Sequence, residues 1–208
     1  MADSSNTEIS KSPCSNLVAQ PLGALADHVS RASKFAKLDK ASWNPPFCGD
    51  IDMRIAADGS WHYNGTPISR PAMVRLFASI LRREAEGYRL VTPVEKVGIK
   101  VDDAPFVAVE MRVEDAAYGP IIHLRTNLDE WIELGPDHAL RFELGTANGL
   151  KPYIQVRDDL WALASRALTH ELMSRIETGT GQYANFYGIT SNGCFFNVAT
   201  IDELEALM

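Results

Sequence analysis

Apolar residues recur along this chain with two periods. At helical spacing, Leu22, Leu25, Val29 and Ala32, with Phe35 and Leu38 in phase, predict a helix over 22–37. Met73, Leu76, Phe77, Ile80 and Leu81 form one stripe over 70–86. Ser69 stands where a cap belongs, Pro71 suits the first turn, and Gly87 marks the end. Trp161, Ala164, Leu168, Leu172 and Ile176 predict a third helix over 158–176, with Asp158 as its cap and Arg175 at the negative end of its dipole.

At period two, Thr92–Phe106 is the clearest stretch. Val97, Ile99 and Val101 share one face with Glu95, and Lys96, Gly98 and Lys100 take the other. Val107, Val109, Met111 and Val113 repeat the pattern beyond the turn-forming Asp102-Asp103-Ala104-Pro105. A hairpin matching the apolar faces sets Val97 opposite Val109 and Ile99 opposite Val107, and leaves Glu95 beside Met111. Strands near 121–126, 130–134, 140–145 and 152–157 read as a meander. Two more hairpins are expected, over 51–65 across Asp58-Gly59 and over 185–200 across Asn192-Gly193, each with a turn that needs positive φ at both central residues. Thr200-x-x-Glu203 is a capping box for a short tail helix.

These patterns divide the chain. Residues 1–16 are polar and expected to be disordered, and 17–42 supply the N-terminal helix and a connector. A first α+β lobe over 43–117 and a second over 118–208 meet near Gly119-Pro120. The fold class is therefore α+β, with antiparallel strands. The hairpins Ile55-Ala-Ala-Asp-Gly-Ser-Trp61 and Ile189-Thr-Ser-Asn-Gly-Cys-Phe195 match in spacing, and each neighbours a long helix. That similarity suggests an internal duplication, which would make the surface between two related lobes the natural ligand site.

Composition narrows the function. A length of 208 residues with 46% hydrophobic side chains supports a substantial core. A net charge of −7 argues against a nucleic-acid polymer as partner, which needs a basic footprint. Cys14, Cys48 and Cys194 are odd in number and widely spaced, so no disulfide framework or zinc site is expected, and a reducing, cytoplasmic setting fits. No apolar run is long enough to span a membrane, and the N-terminus lacks a signal-peptide pattern.

Trp43-Asn-Pro-Pro with Cys48-Gly49-Asp50, Asp58-Gly59-x-Trp61, Leu90–Phe106 and Ser191-x-Gly193-x-Phe195-Phe196 together resemble the bacterial domain of unknown function 1285 family. The resemblance spans most of residues 43–200. It implies a two-lobed fold with repeated motifs, a C-terminal lobe superficially like a pleckstrin-homology domain, a nucleotide-type ligand at the lobe interface and a signalling role.

The chemistry is sparse. His28, His62, His123, His138 and His170 form no metal-ligand pair, and there is no nucleophile elbow or phosphate-cradling loop, so neither metal nor cofactor is expected. The favoured function is a non-enzymatic regulatory module that binds a small anionic, nucleotide-like ligand between lobes. Arg54, Arg70 and Arg112 are the candidates to hold phosphate, Trp61 to stack on a base, and Glu95 to accept from a base or ribose. Arg70 has the added field of a helix start. The alternatives are a protein-interaction module with an exposed apolar strip or open sheet edge, and an enzyme that pairs Glu95 with Asp102 or Asp103.

Overall fold

The computed structural model describes residues 21–34, 43–117, 119–145 and 149–202. The expectations for residues 1–16, Phe35, Leu38 and Glu203 lie outside these. The chain divides into two compact units. The first holds the chain up to Arg54 and then His62–Lys100, and the second holds Ile55–Trp61 and everything from Val101 onward. The architecture is mostly β, with two six-stranded sheets, a three-stranded sheet and few helices.

The first unit carries helix α1 (Leu22–Lys34) and most of a sheet made of β1 (Phe47–Ile55), β2 (Trp61–Tyr63), β3 (Thr66–Pro67), β4 (Leu81–Glu84), β5 (Gly87–Val91) and β6 (Lys96–Val101). Their spatial order is β3-β2-β1-β6-β5-β4. Along β1, Ile51, Met53 and Ile55 are buried while Asp50, Asp52 and Arg54 face outward, the alternation of a half-buried strand. β1 and β6 run in the same direction, since Lys96 N–H donates to the Pro46 carbonyl at one end and Asp102 N–H to the Ile55 carbonyl at the other. Asn64-Gly65, a turn signal passed over in the sequence, joins β2 to β3 with φ of 47° and 73°.

Helix α2 spans Pro71–Ser79 and buries Val74, Phe77 and Ala78. It is half the length that the apolar stripe predicts. Leu81 pairs with Leu90 across a β4–β5 hairpin, so Ile80 ends the helix as its C-cap and Leu81 begins a strand rather than another helical turn. A non-local ladder has overridden a local preference. Ser69 does not cap the helix. Arg70 holds the N-cap position with no side-chain cap bond.

The expected Thr92–Phe106 hairpin does not form. β6 pairs with β5, matching Leu90 to Val97, and the strand after the turn, β7 (Phe106–Ala116), belongs to the other sheet. Apolar faces alone do not choose a partner, and each strand found its match outside the stretch. Glu95 lies in a turn just before β6, not on a strand. Thr92 Oγ1 donates to the Glu95 carbonyl at 3.0 Å and accepts from Glu95 N–H at 3.2 Å.

The second unit's large sheet comprises β7, β8 (Gly119–Thr126), β9 (Trp131–Glu133), β10 (Leu140–Leu144), β11 (Leu150–Arg157) and β12 (Leu160–Ala164), in the order β10-β11-β12-β7-β8-β9. Two antiparallel meanders meet along a parallel β12–β7 seam, where Ala162, Leu163 and Ala164 oppose Phe106, Val107 and Ala108. The expected meander strands are present near their predicted places. The third helix is not as predicted. Trp161–Ala164 lies in β12, and α3 is the shorter Arg166–Met173. Its cap is Ser165, whose hydroxyl accepts from Leu168 N–H at 3.3 Å. Asp158, at φ 43°, belongs to the β11–β12 turn. α3 buries Leu168 and Leu172 and packs against β7, β11 and β12.

The last sheet contains β13 (Glu177–Thr178), β14 (Phe186–Ser191) and β15 (Cys194–Thr200), in that order, and lies along β8 and β10. Ser191 and Cys194 flank Asn192-Gly193, with φ of 47° and 70°, as predicted. The Asp58-Gly59 turn differs. Only Gly59 has positive φ, at 81°, and Ala56 N–H bonds the Ser60 carbonyl around a turn closed by Gly59 N–H to the Ala56 carbonyl. This is a longer turn ending in a bulge, so the two hairpins match in spacing and differ in geometry.

Candidate functional site

The five side chains proposed for a ligand have different fates. In the first unit, Arg70 is exposed at the start of α2 and lines a cavity of about 310 Å³. Leu22, Pro67, Ile68 and Met73 give this cavity an apolar wall, and Ser69 adds a hydroxyl. Among the described residues, no carboxylate pairs with Arg70. Arg54 is exposed on β1. Glu95 is fully buried, at 0% exposure, in the turn held by Thr92.

In the second unit, Trp61 is 2% exposed and counts among the largest core side chains, so the open ring face that stacking requires is not available. Arg112 lies on the outward face of β7, already engaged. Its guanidinium sits 4.3 Å over the Trp131 ring and donates to Glu110 Oε1 at 3.0 Å. Glu110 also accepts from Arg125, which reaches Asp129 as well. The Arg125 hydrogen bond, then that of Arg112, holds the Glu110 carboxyl below its ordinary value. This is a ladder of cross-strand charge pairs, since Glu110 faces Arg125 and Arg125 faces Trp131 in register.

Asp103, named for the enzyme alternative, is likewise committed. Lys151 Nζ donates to Oδ2 at 2.6 Å and Tyr153 Oη to Oδ1 at 2.7 Å. Burial pushes the Asp103 carboxyl up, but these two bonds and the Lys151 charge outweigh it and hold it below the ordinary range. Burial pushes the Tyr153 phenol well up, and the bond to the Asp103 carboxylate adds to that. Among the described residues, no cluster of three or more His, Cys, Asp or Glu side chains is placed to hold a metal ion. No helix among them is long and apolar enough to cross a membrane. Cys48 is disulfide-bonded, contrary to the expectation from cysteine spacing.

A second cavity, of about 540 Å³, was not anticipated. It lies beside the three-stranded sheet and is lined by Glu177, Thr180, Tyr183, Thr190 and Phe195, among others. From the sequence, Gly179-Thr180-Gly181 reads only as a loop. Its residues are close in sequence, so the signal was present. Missing was the 3-10 turn Gly181–Tyr183, which swings Tyr183 back against Phe195.

Fold and sites define a two-unit, mostly β protein with ligand-sized hollows. Two family profiles cover most of the chain. The domain of unknown function DUF1285, N-terminal domain, matches residues 40–104, and the protein of unknown function DUF1285, C-terminal domain, matches residues 105–198. The crystal structure of a DUF1285 family protein from Silicibacter pomeroyi DSS-3, at 2.50 Å, is 44% identical. That match covers 90% of this chain and 99% of the other, with a TM-score of 0.78. A DUF1285 family protein from Shewanella baltica OS155, solved at 1.40 Å, is 27% identical over 59% of this chain and 90% of its own, with a TM-score of 0.47. No curated protein matches the chain. The chain belongs to the DUF1285 family.

Proposed function

We propose that this protein is a non-enzymatic binding module with a regulatory role, and that it takes a small anionic, nucleotide-like ligand at the start of α2. The observation that carries this reading is Arg70. It is exposed at the rim of a cavity, and among the described residues no carboxylate neutralises it. The N-terminal end of a helix carries partial positive charge, which adds to the guanidinium's attraction for phosphate. The apolar wall of Leu22, Ile68 and Met73 suits the organic part of such a ligand. Arg112 and Trp61 drop out of this reading, the first because Glu110 and Trp131 occupy it, the second because it is buried. The signalling role and the pleckstrin-like lobe come with the family resemblance and stay within the proposal.

The test is a thermal-shift panel of nucleotides with inorganic phosphate. A ligand at 100 times its Kd adds roughly 2.7 kcal/mol of stability, a rise of about 5–10 °C for a chain of this size. Arg70→Gln should remove the shift and leave the unliganded Tm within about 1 °C of native, since the side chain is exposed. Flat melting temperatures across the panel would sink the reading.

A further inference from the structure

We propose that the cavity beside the three-stranded sheet is a separate binding site, one that takes a small organic ammonium cation. This goes beyond the anion reading, since it concerns another part of the chain and the opposite charge. Among the described residues that line the cavity, Glu177 is the one charged side chain, and no lysine or arginine reaches it. Thr190 Oγ1 donates to Glu177 Oε1 and so fixes the carboxylate. Oε2 makes no further bond among the described residues and is left to a ligand.

Two rings line the same cavity. Tyr183 and Phe195 are stacked, with centroids 4.9 Å apart and planes at 29°, and each is half-buried. An aromatic face attracts a cation through its quadrupole, and a quaternary ammonium is the cation such faces hold best. A carboxylate beside aromatic rings, with no competing basic group, selects for positive charge and against phosphate. The net charge of −7 works in the same direction over longer range.

The arrangement is specified by local sequence. Gly179 N–H donates to the Phe186 carbonyl, which ties the start of the loop to β14. A Cβ at Gly179 would lie 2.2 Å from the Tyr183 carbonyl oxygen, so only glycine lets the loop fold back and lay Tyr183 on Phe195. Thr180 N and O lie at the turn itself, where Tyr183 N–H bonds the Thr180 carbonyl. The platform is therefore preformed.

Isothermal titration of the full chain with choline tests this, beside 3,3-dimethylbutan-1-ol as its uncharged isostere and inorganic phosphate as an anion. Choline should bind about tenfold more tightly than the isostere. Glu177→Gln should weaken choline by about tenfold, and Phe195→Leu by a similar factor, with far-ultraviolet circular dichroism unchanged. Glu177 is exposed, so the first variant keeps the test decisive if the second misfolds. Arg70→Gln should leave choline binding as it was, which separates this site from the phosphate site. Absence of choline binding, equal binding of the isostere, or undiminished affinity in Glu177→Gln would each overturn the proposal.

Discussion

Arg89 reaches Asp50 directly over Gly98. The Arg89 Nη1 to Asp50 Oδ1 distance is 3.4 Å, and a Cβ built on Gly98 would fall 1.8 Å from that carboxylate oxygen and 2.4 Å from that nitrogen. Arg89 also lies 4.6 Å over the Phe47 ring. The pair lies across β6 because β6 offers no side chain there. Gly98→Ala should therefore displace the pair and cost about 1 kcal/mol in urea unfolding, since the colliding atoms are the ends of flexible chains. In an Asp50→Ala background the same change should cost less, and an equal cost in both would contradict the stated cause.

Ser191 ties the last hairpin to the large sheet. Its buried hydroxyl donates to the Leu134 carbonyl at 2.8 Å and accepts from Ile122 N–H at 2.9 Å. Ser191→Ala would strand a buried donor and a buried acceptor together, at a cost on the order of 2–4 kcal/mol. Chemical denaturation measures it. A loss under about 1 kcal/mol would show that water replaces the hydroxyl.

Acid should destabilise the second unit. The Asp103 carboxyl is held below its ordinary value of 3.8 in the folded chain, so the unfolded chain binds its proton first as pH falls. The contribution is whole above pH 3.8 and is lost progressively below it. Glu110, also lowered, adds to the same slope from its ordinary 4.5 downward. Asp103→Asn should lower stability at neutral pH by about 1–3 kcal/mol and flatten the acid limb, read as urea midpoints between about pH 6 and 3. An unchanged acid limb would assign the slope to other carboxyls.

The cap of α3 separates two readings of one segment. Ser165→Ala should cost about 1 kcal/mol, because Leu168 N–H loses its acceptor. Asp158→Asn should cost almost nothing, as it keeps a side chain that tolerates φ of 43° in the β11–β12 turn. The opposite ranking in thermal unfolding would restore the longer helix expected from the apolar stripe.

The sequence disclosed what depends on neighbours within a few residues. Asn192-Gly193 and the strands from Gly119 to Arg157 follow from turn chemistry and alternation, and the structure has them. It misled where two local readings were equally good and a distant strand decided. Leu81 and Trp161–Ala164 carry apolar side chains at helical spacing, yet Leu90 claims the first as a strand and Phe106–Ala108 the second. The same holds for Val97 and Val109, whose matching faces suggested a hairpin that distant partners dissolved. The ligand candidates were chosen by residue type, which does not reveal whether an arginine is already occupied. Arg112 is, and Arg70, among the described residues, is not, and only the positions of Glu110 and Trp131 tell them apart.

The seven residues Ile55–Trp61, lent by the first stretch of chain to the second unit, have a genetic consequence. A Cβ at Gly59 would come 2.6 Å from Asn127 Nδ2 and 2.9 Å from Val107 Cγ2, so this turn is fitted closely to the large sheet. The family boundary between residues 104 and 105 thus leaves one piece of the N-terminal match, Ile55–Trp61, inside the second unit. A fragment beginning at Phe106 would leave Val107 and Asn127 uncovered. Recombination between relatives at that boundary would need a turn from one parent that fits the sheet of the other.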